Sequence, residues 1–223
     1  MIVAQANSTA SISGLVLSEE GRTLRAAVTV SFAAPRGFPS PPRRVITSPN
    51  GAFTFPRLSA GKYVLCAQIS PAEAAPADSP FIDTCVWGSA QVPITVAAGE
   101  QVAGIVFTAP RGAWLPIRVI DPEHVLPAVA AKGPAPLESE LQLMVKGDDG
   151  LYRHASYISS DGAGRKYQIA IPLKTAFGMK VHSSVADAFD DGGKQLDEKD
   201  DIPVKANSAA EAHQMTVTLH RKK

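Results

Sequence analysis

No stretch of this 223-residue chain holds the roughly 20 consecutive apolar residues a helix needs to cross a bilayer, which excludes a helical transmembrane segment. Net charge is lacking as well: 22 Lys and Arg stand against 21 Asp and Glu, leaving +1. So close a balance builds no basic field along a phosphate backbone, and nucleic acid is set aside as a partner. Catalytic signatures are missing too. There is no Gly-x-Ser-x-Gly elbow, no glycine-rich phosphate cradle, and no cysteine beside an evident base. None of His124, His154, His182, His213 or His220 is followed by Glu at the His-x-x-Glu spacing that lets two ligands converge on one zinc. These absences predict a protein that is not an enzyme and carries no cofactor.

What is present is alternation. The hydrophobic fraction of 45% supplies a packed core, and the length suits two domains of about 100 residues each. Apolar residues recur with a period of two in SISGLVLS, AAVTVSF, RRVITS, AFTFPRL, KYVLCAQ, QVPITVAA and QVAGIVFTA, with turn-forming residues between them. About seven strands between Ser11 and Ala109 predict an antiparallel β-sandwich. Asn50-Gly51 offers the positive φ of a tight hairpin turn joining the strands of Ile46 and Phe53. Phe53 and Phe55 then share a face, Pro56 ends their strand, and Gly61 permits the reversal before Tyr63, Leu65 and Ala67.

Only two cysteines occur, on either side of the Pro- and Ala-rich segment ISPAEAAPADSPFID. A Cys66–Cys85 disulfide would close that loop and place the protein in an oxidising compartment. Two buried free thiols are the alternative. At the amino terminus, Ala4-Gln5-Ala6 has the small-x-small form of a signal-peptidase site, so residues 1–10 are either the remnant of a signal peptide or a frayed tail with chance alanines.

After TAPRGAW the pattern restarts. WLPIRVIDP opens like SISGLVLS, and SSDGAGRKYQIAIPLKTAFGMKVHSS echoes TSPNGAFTFPRLSAGKYVLCAQ, which suggests a degenerate repeat. ELQLMVKG, YRHASYIS, FGMKVHSSVADAF, DIPVKA and HQMTVTLHR complete it, while Pro127, Pro134 and Pro136 deny a long helix to the segment between. The expected organisation is a tail at 1–10, one β-sandwich at 11–112 and a second at 113–223, an all-β chain of two consecutive domains.

ISGLVLSEEGRTLRAAVTVSF and SPNGAFTFPRLSAGKYVLCA, with FIDTCVWG and VPITVAAGEQVAGIVFTAPRGAWLPIRVIDP, resemble carboxypeptidase regulatory-like domains of exported bacterial proteins. The resemblance covers about residues 11 to 121 and implies a transthyretin-like (prealbumin-like) fold for the first domain, with LVLSEEGRTLRA more charged than the usual opening. It also implies an accessory module, and related carbohydrate-binding-like folds include sugar binders. The terminal Tyr-Arg-Gly-Ser of transthyretin-like hydrolases is absent.

Few residues offer themselves as a site. Trp87 and Trp114 are the candidates for stacking on a sugar ring, Trp87 the better of the two, with packing against the disulfide as its bland reading. Tyr152, His154 and Tyr157 lie close in LYRHASY but lack the second histidine of an iron site. In DAFDDGGKQLDEKDD, Asp187, Asp190 and Asp191 form a weak calcium candidate. Asp187, Asp191, Gly192 and Glu198 fit an EF-hand frame that Phe189 breaks, and Asp191-Gly192-Gly193 reads more simply as a solvated hairpin turn. Asn7-Ser8-Thr9 fits a glycosylation acceptor by chance. The sequence therefore predicts a non-catalytic exported binding or assembly module of the cell envelope, periplasmic or extracellular, whose partner is an envelope protein or a glycan. The alternative is a carbohydrate-binding module that uses an exposed Trp.

Overall fold

Alternation becomes strand along most of the chain. The computed structural model describes residues 10–33, 41–70, 73, 79–129, 140–146, 152–197, 199 and 201–222. Ala4-Gln5-Ala6, Asn7-Ser8-Thr9, Pro134, Pro136 and Glu198 lie outside the described residues. The chain divides into two units, Met1–Ala77 with Phe81–Arg111, and Asp78–Pro80 with Gly112–Lys223.

The first unit holds β1 (Ala10–Ser18), β2 (Ala26–Phe32), β3 (Arg43–Ile46), β4 (Ala52–Leu58), β5 (Gly61–Ile69), β6 (Val92–Val96) and β7 (Gln101–Ala109). They form two sheets, ordered β4-β1-β7 and β3-β2-β5-β6. Each strand turns alternate side chains inward, so one core collects Ile12 and Val16 from β1, Val28 and Val30 from β2, Phe53 and Phe55 from β4, Tyr63 and Leu65 from β5, and Phe107 from β7. Among the described residues this is a β-sandwich of seven strands.

Three sequence expectations are corrected here. The Asn50-Gly51 turn does not make a hairpin, because β3 and β4 belong to different sheets. Gly51 does take φ +76°, and its carbonyl accepts from Val16 N at 2.9 Å, so the turn carries the chain across to β1 instead of back along β3. Pro56 does not end β4. The ladder steps from Ile12↔Phe55 to Ala10↔Leu58, which leaves one extra residue at Pro56-Arg57, a bulge in an edge strand where a residue without an N–H is tolerated. Nor is the unit wholly antiparallel, since β7 runs parallel to β1.

The second unit holds β8 (Gly112–Ile120), β9 (Leu141–Lys146), β10 (Tyr152–His154), β11 (Ser156–Asp161), β12 (Gly164–Pro172), β13 (Ala176–Ser183), β14 (Ala186–Phe189), β15 (Gln195–Leu196), β16 (Ile202–Lys205) and β17 (Met215–Arg221). Its sheets are ordered β11-β12-β8-β17-β14-β15 and β10-β9-β13-β16. With β11, β14 and β15 set aside, β12-β8-β17 follows β4-β1-β7, and β10-β9-β13-β16 follows β3-β2-β5-β6, strand for strand in chain order. The directions agree as well: β8 pairs antiparallel with β12 and parallel with β17, as β1 does with β4 and β7. Its buried side chains include Leu115, Ile117, Val145, Ile171, Met179 and Leu219, drawn from both sheets.

Candidate functional site

In the first unit, polar and covalent features concentrate at the outer edge of β5. Strand β6 pairs with β5 only from Gly61 to Leu65, so among the described residues the backbone of Ala67 has no strand partner on that side. Thr84 takes the place of one. Its Oγ1 accepts from Ala67 N at 2.8 Å, and its own N donates to Ala67 O at 3.3 Å, with the Thr84 residue fully buried. Next to this contact Cys85 is bonded to Cys66, with Cα atoms 4.9 Å apart. Asp83 organises the turn: its Oδ1 accepts from Cys85 N at 2.9 Å, and its carbonyl accepts from Val86 N and Trp87 N, each at 3.0 Å. The free-thiol alternative is therefore not realised.

Trp87 closes that turn with 2% of its surface exposed. A ring without an open face cannot stack on a sugar, so the better of the two sequence candidates is the one the structure withdraws. Trp114, on β8 of the second unit opposite Ala170, is partly exposed on the face it shares with Pro116 and Arg118.

Polar order in the second unit centres on the segment after β8. Asp121, itself buried, accepts from Val125 N through Oδ1 and from Leu126 N through Oδ2, both at 2.9 Å, as an Asp before Pro at a turn is suited to do. Arg165 is 3% exposed and donates from Nη2 to Pro127 O at 2.6 Å, while its buried Nη1 has no hydrogen-bond partner among the described residues. Both residues line a cavity of about 610 Å³ with His124, Leu126 and Asp161. Asp161 accepts from Arg118 Nη2 at 2.6 Å and Ala163 N at 3.0 Å. These two hydrogen bonds, Arg118 first, hold its carboxyl at about 2 against the usual 3.8. Across the unit, His220 Nδ1 meets Glu123 Oε1 at 2.8 Å, and this contact with the Arg221 N–H draws the Glu123 carboxyl below its ordinary range.

The remaining candidates are dispersed. Tyr152 and His154 lie on β10 and Tyr157 on β11, in different sheets, and Tyr157 instead meets Tyr167 edge to face at 5.7 Å. Asp190 caps the β14–β15 turn, its carbonyl accepting from Gly193 N and its Oδ1 from Lys194 N at 2.9 Å, the solvated hairpin read from the sequence. Asp187 stands on β14 opposite His220. Among the described residues no three His, Cys, Asp or Glu side chains gather as metal ligands, and no described helix is long and apolar enough to cross a membrane.

Thr84, Asp121 with Arg165, and Glu123 with His220 were not anticipated from the sequence. Only Asp121-Pro122 carried a local signal, that of turn initiation. Partners separated by 97 residues, as Glu123 and His220 are, leave none.

No family model matches the chain, and no curated protein matches it. Solved structures do. The Bacillus anthracis TIE protein aligns at 15% identity and TM-score 0.31 over 95% of this chain, which spans only 34% of that one. GBS52, the minor pilin of Streptococcus agalactiae, aligns at 10% identity and TM-score 0.42, covering 96% of this chain and 97% of that one. The fimbrial anchor protein Mfa2 of Porphyromonas gingivalis aligns at 9% identity and TM-score 0.35, covering 94% and 90%. Likenesses this distant assign no activity or partner.

Proposed function

We propose that this chain is a non-catalytic exported module of the cell envelope that serves binding or assembly. Its first unit is read as a carboxypeptidase regulatory-like sandwich of transthyretin-like type and its second as a degenerate copy of the same sandwich. The observation that carries the location is the Cys66–Cys85 bond, which staples the segment 83–87 to β5. A disulfide holding a structural turn persists in an oxidising compartment and is rare where thiols are kept reduced. What supports a scaffold role is that Asp83, Thr84, Asp121 and Asp190 are engaged in holding turns and a strand edge. The strand-for-strand correspondence of the two units supports the repeat.

The test is intact mass after alkylation of protein purified from an exporting host, with and without reductant. The expected result is a mass two hydrogen atoms below the reduced chain, with alkylation at Cys66 and Cys85 only after reduction. Two thiols freely alkylated in folded, unreduced protein overturn the envelope location.

A further inference from the structure

Comparison of the two units singles out one edge. In the second unit β17 lies between β8 and an added antiparallel strand, β14, which is in turn covered by β15. In the first unit the equivalent strand, β7, pairs with β1, and among the described residues no strand pairs with its other side. An open edge presents unpaired N–H and C=O groups to any incoming strand, and proteins usually blunt it with charge or proline. From Gln101 to Ala109, β7 has neither. It has one irregularity near its start: the ladder steps from Ile12↔Val102 to Gly14↔Ile105, and the extra residue is accommodated at Gly104 with φ +74°. The half from Ile105 to Ala109 is regular.

The exposed side chains of this edge are apolar. Val106 is 55% exposed, and Leu15, its register partner on β1, is 37% exposed. They form a short apolar row that ends at the open edge. The second unit shows what such an edge accepts, since β14 adds to β17 antiparallel and in register from Phe189↔Thr218 to Ala186↔Arg221.

We propose that the Ile105–Ala109 edge of β7 takes the same edge of a second copy of this chain, antiparallel about a two-fold axis, joining two three-stranded sheets into one of six. A two-fold contact requires a self-complementary surface. An uncharged strand meets its own copy without like-charge repulsion, and pairing about Phe107 sets Val106 opposite Thr108 of the other copy, with Val106 of the other copy its diagonal neighbour on the exposed face. This inference rests on the assembly half of the function proposed above and not on the location.

The test is sedimentation velocity and light scattering on the full chain from about 1 to 100 µM, the range in which a modest interface is read, with hydrogen exchange followed along β7. The expected result is twice the chain mass at the upper end, with slowing of exchange at residues 105–109 as the dimer fills. Val106→Lys and, separately, Thr108→Lys place charge on the exposed face of the strand and should raise the dissociation constant on the order of tenfold or more, with the far-ultraviolet circular dichroism unchanged. A monomer at every concentration, or a dimer that both lysine variants leave unchanged, overturns the proposal. A monomer whose cysteines are bonded removes self-pairing and leaves the location standing, whereas free thiols in a dimer do the reverse.

Discussion

Thr84 does for β5 what the next residues of a neighbouring strand would do. Its hydroxyl is the acceptor for Ala67 N in a place water does not reach. Thr84→Val keeps the shape and removes the acceptor, leaving a buried N–H unpaired, which costs about 1–3 kcal/mol. Urea unfolding should show the midpoint falling with its slope unchanged, and Thr84→Ser should recover most of the loss. A valine variant as stable as the parent would mean that Ala67 finds another acceptor. Asp161 gives a second prediction, in pH. Its folded carboxyl lies at about 2, below the usual 3.8, because of Arg118 and the Ala163 N–H. A depressed acid contributes stability that is complete above its unfolded value and is lost as pH falls through the folded one. The urea midpoint of the parent should therefore decline between about pH 4 and pH 2, and Asp161→Asn should flatten that part of the decline. Identical slopes in the two proteins would sink the assignment. The side chain is 45% exposed, so the effect is one of slope and salt sensitivity more than of total stability.

At the scale of elements, the seven strands of the first unit were legible in the sequence because each carries its own alternation, as AFTFPRL does with Phe53 and Phe55 inward. How they connect was less legible. Asn50-Gly51 encodes a positive φ and nothing more; which sheet the next strand joins is decided by the core that Phe53 and Phe55 enter and by the Val16 N–H that seizes Gly51 O. Pro56 misled for a related reason. It lacks a donor, but on the edge strand β4 a bulge absorbs that lack and the strand continues to Leu58. In the second unit the two-residue β15 is too short for any period to declare it, and the engagement of Asp121 and Arg165 with the segment 125–127 depends on tertiary placement. The disulfide was legible because only two cysteines existed to pair. The burial of Trp87 was not, since a tryptophan beside a cysteine reads equally well as a lid or as a platform.

For the whole molecule, the two units share a strand order yet are stabilised by different means. One carries the Cys66–Cys85 staple, and the other carries three added strands and a buried Asp121 and Arg165. The disulfide closes a sequence separation of 19 within the first unit, worth about 3 kcal/mol in the loop-entropy model. For a domain of about 100 residues, each kcal/mol shifts the melting temperature by about 4–8 °C. Calorimetry of the full chain should therefore resolve two transitions, and reductant should lower one of them by on the order of 10–20 °C and leave the other in place. The second unit expressed alone should melt at the temperature that reductant does not move. A single transition that falls on reduction would mean that the units unfold as one cooperative body, and that the stability of the second depends on the staple of the first. A shift confined to one transition means that each sandwich is held by its own core, so that loss of the disulfide in a reducing environment weakens the first unit and leaves the stability of the second unchanged.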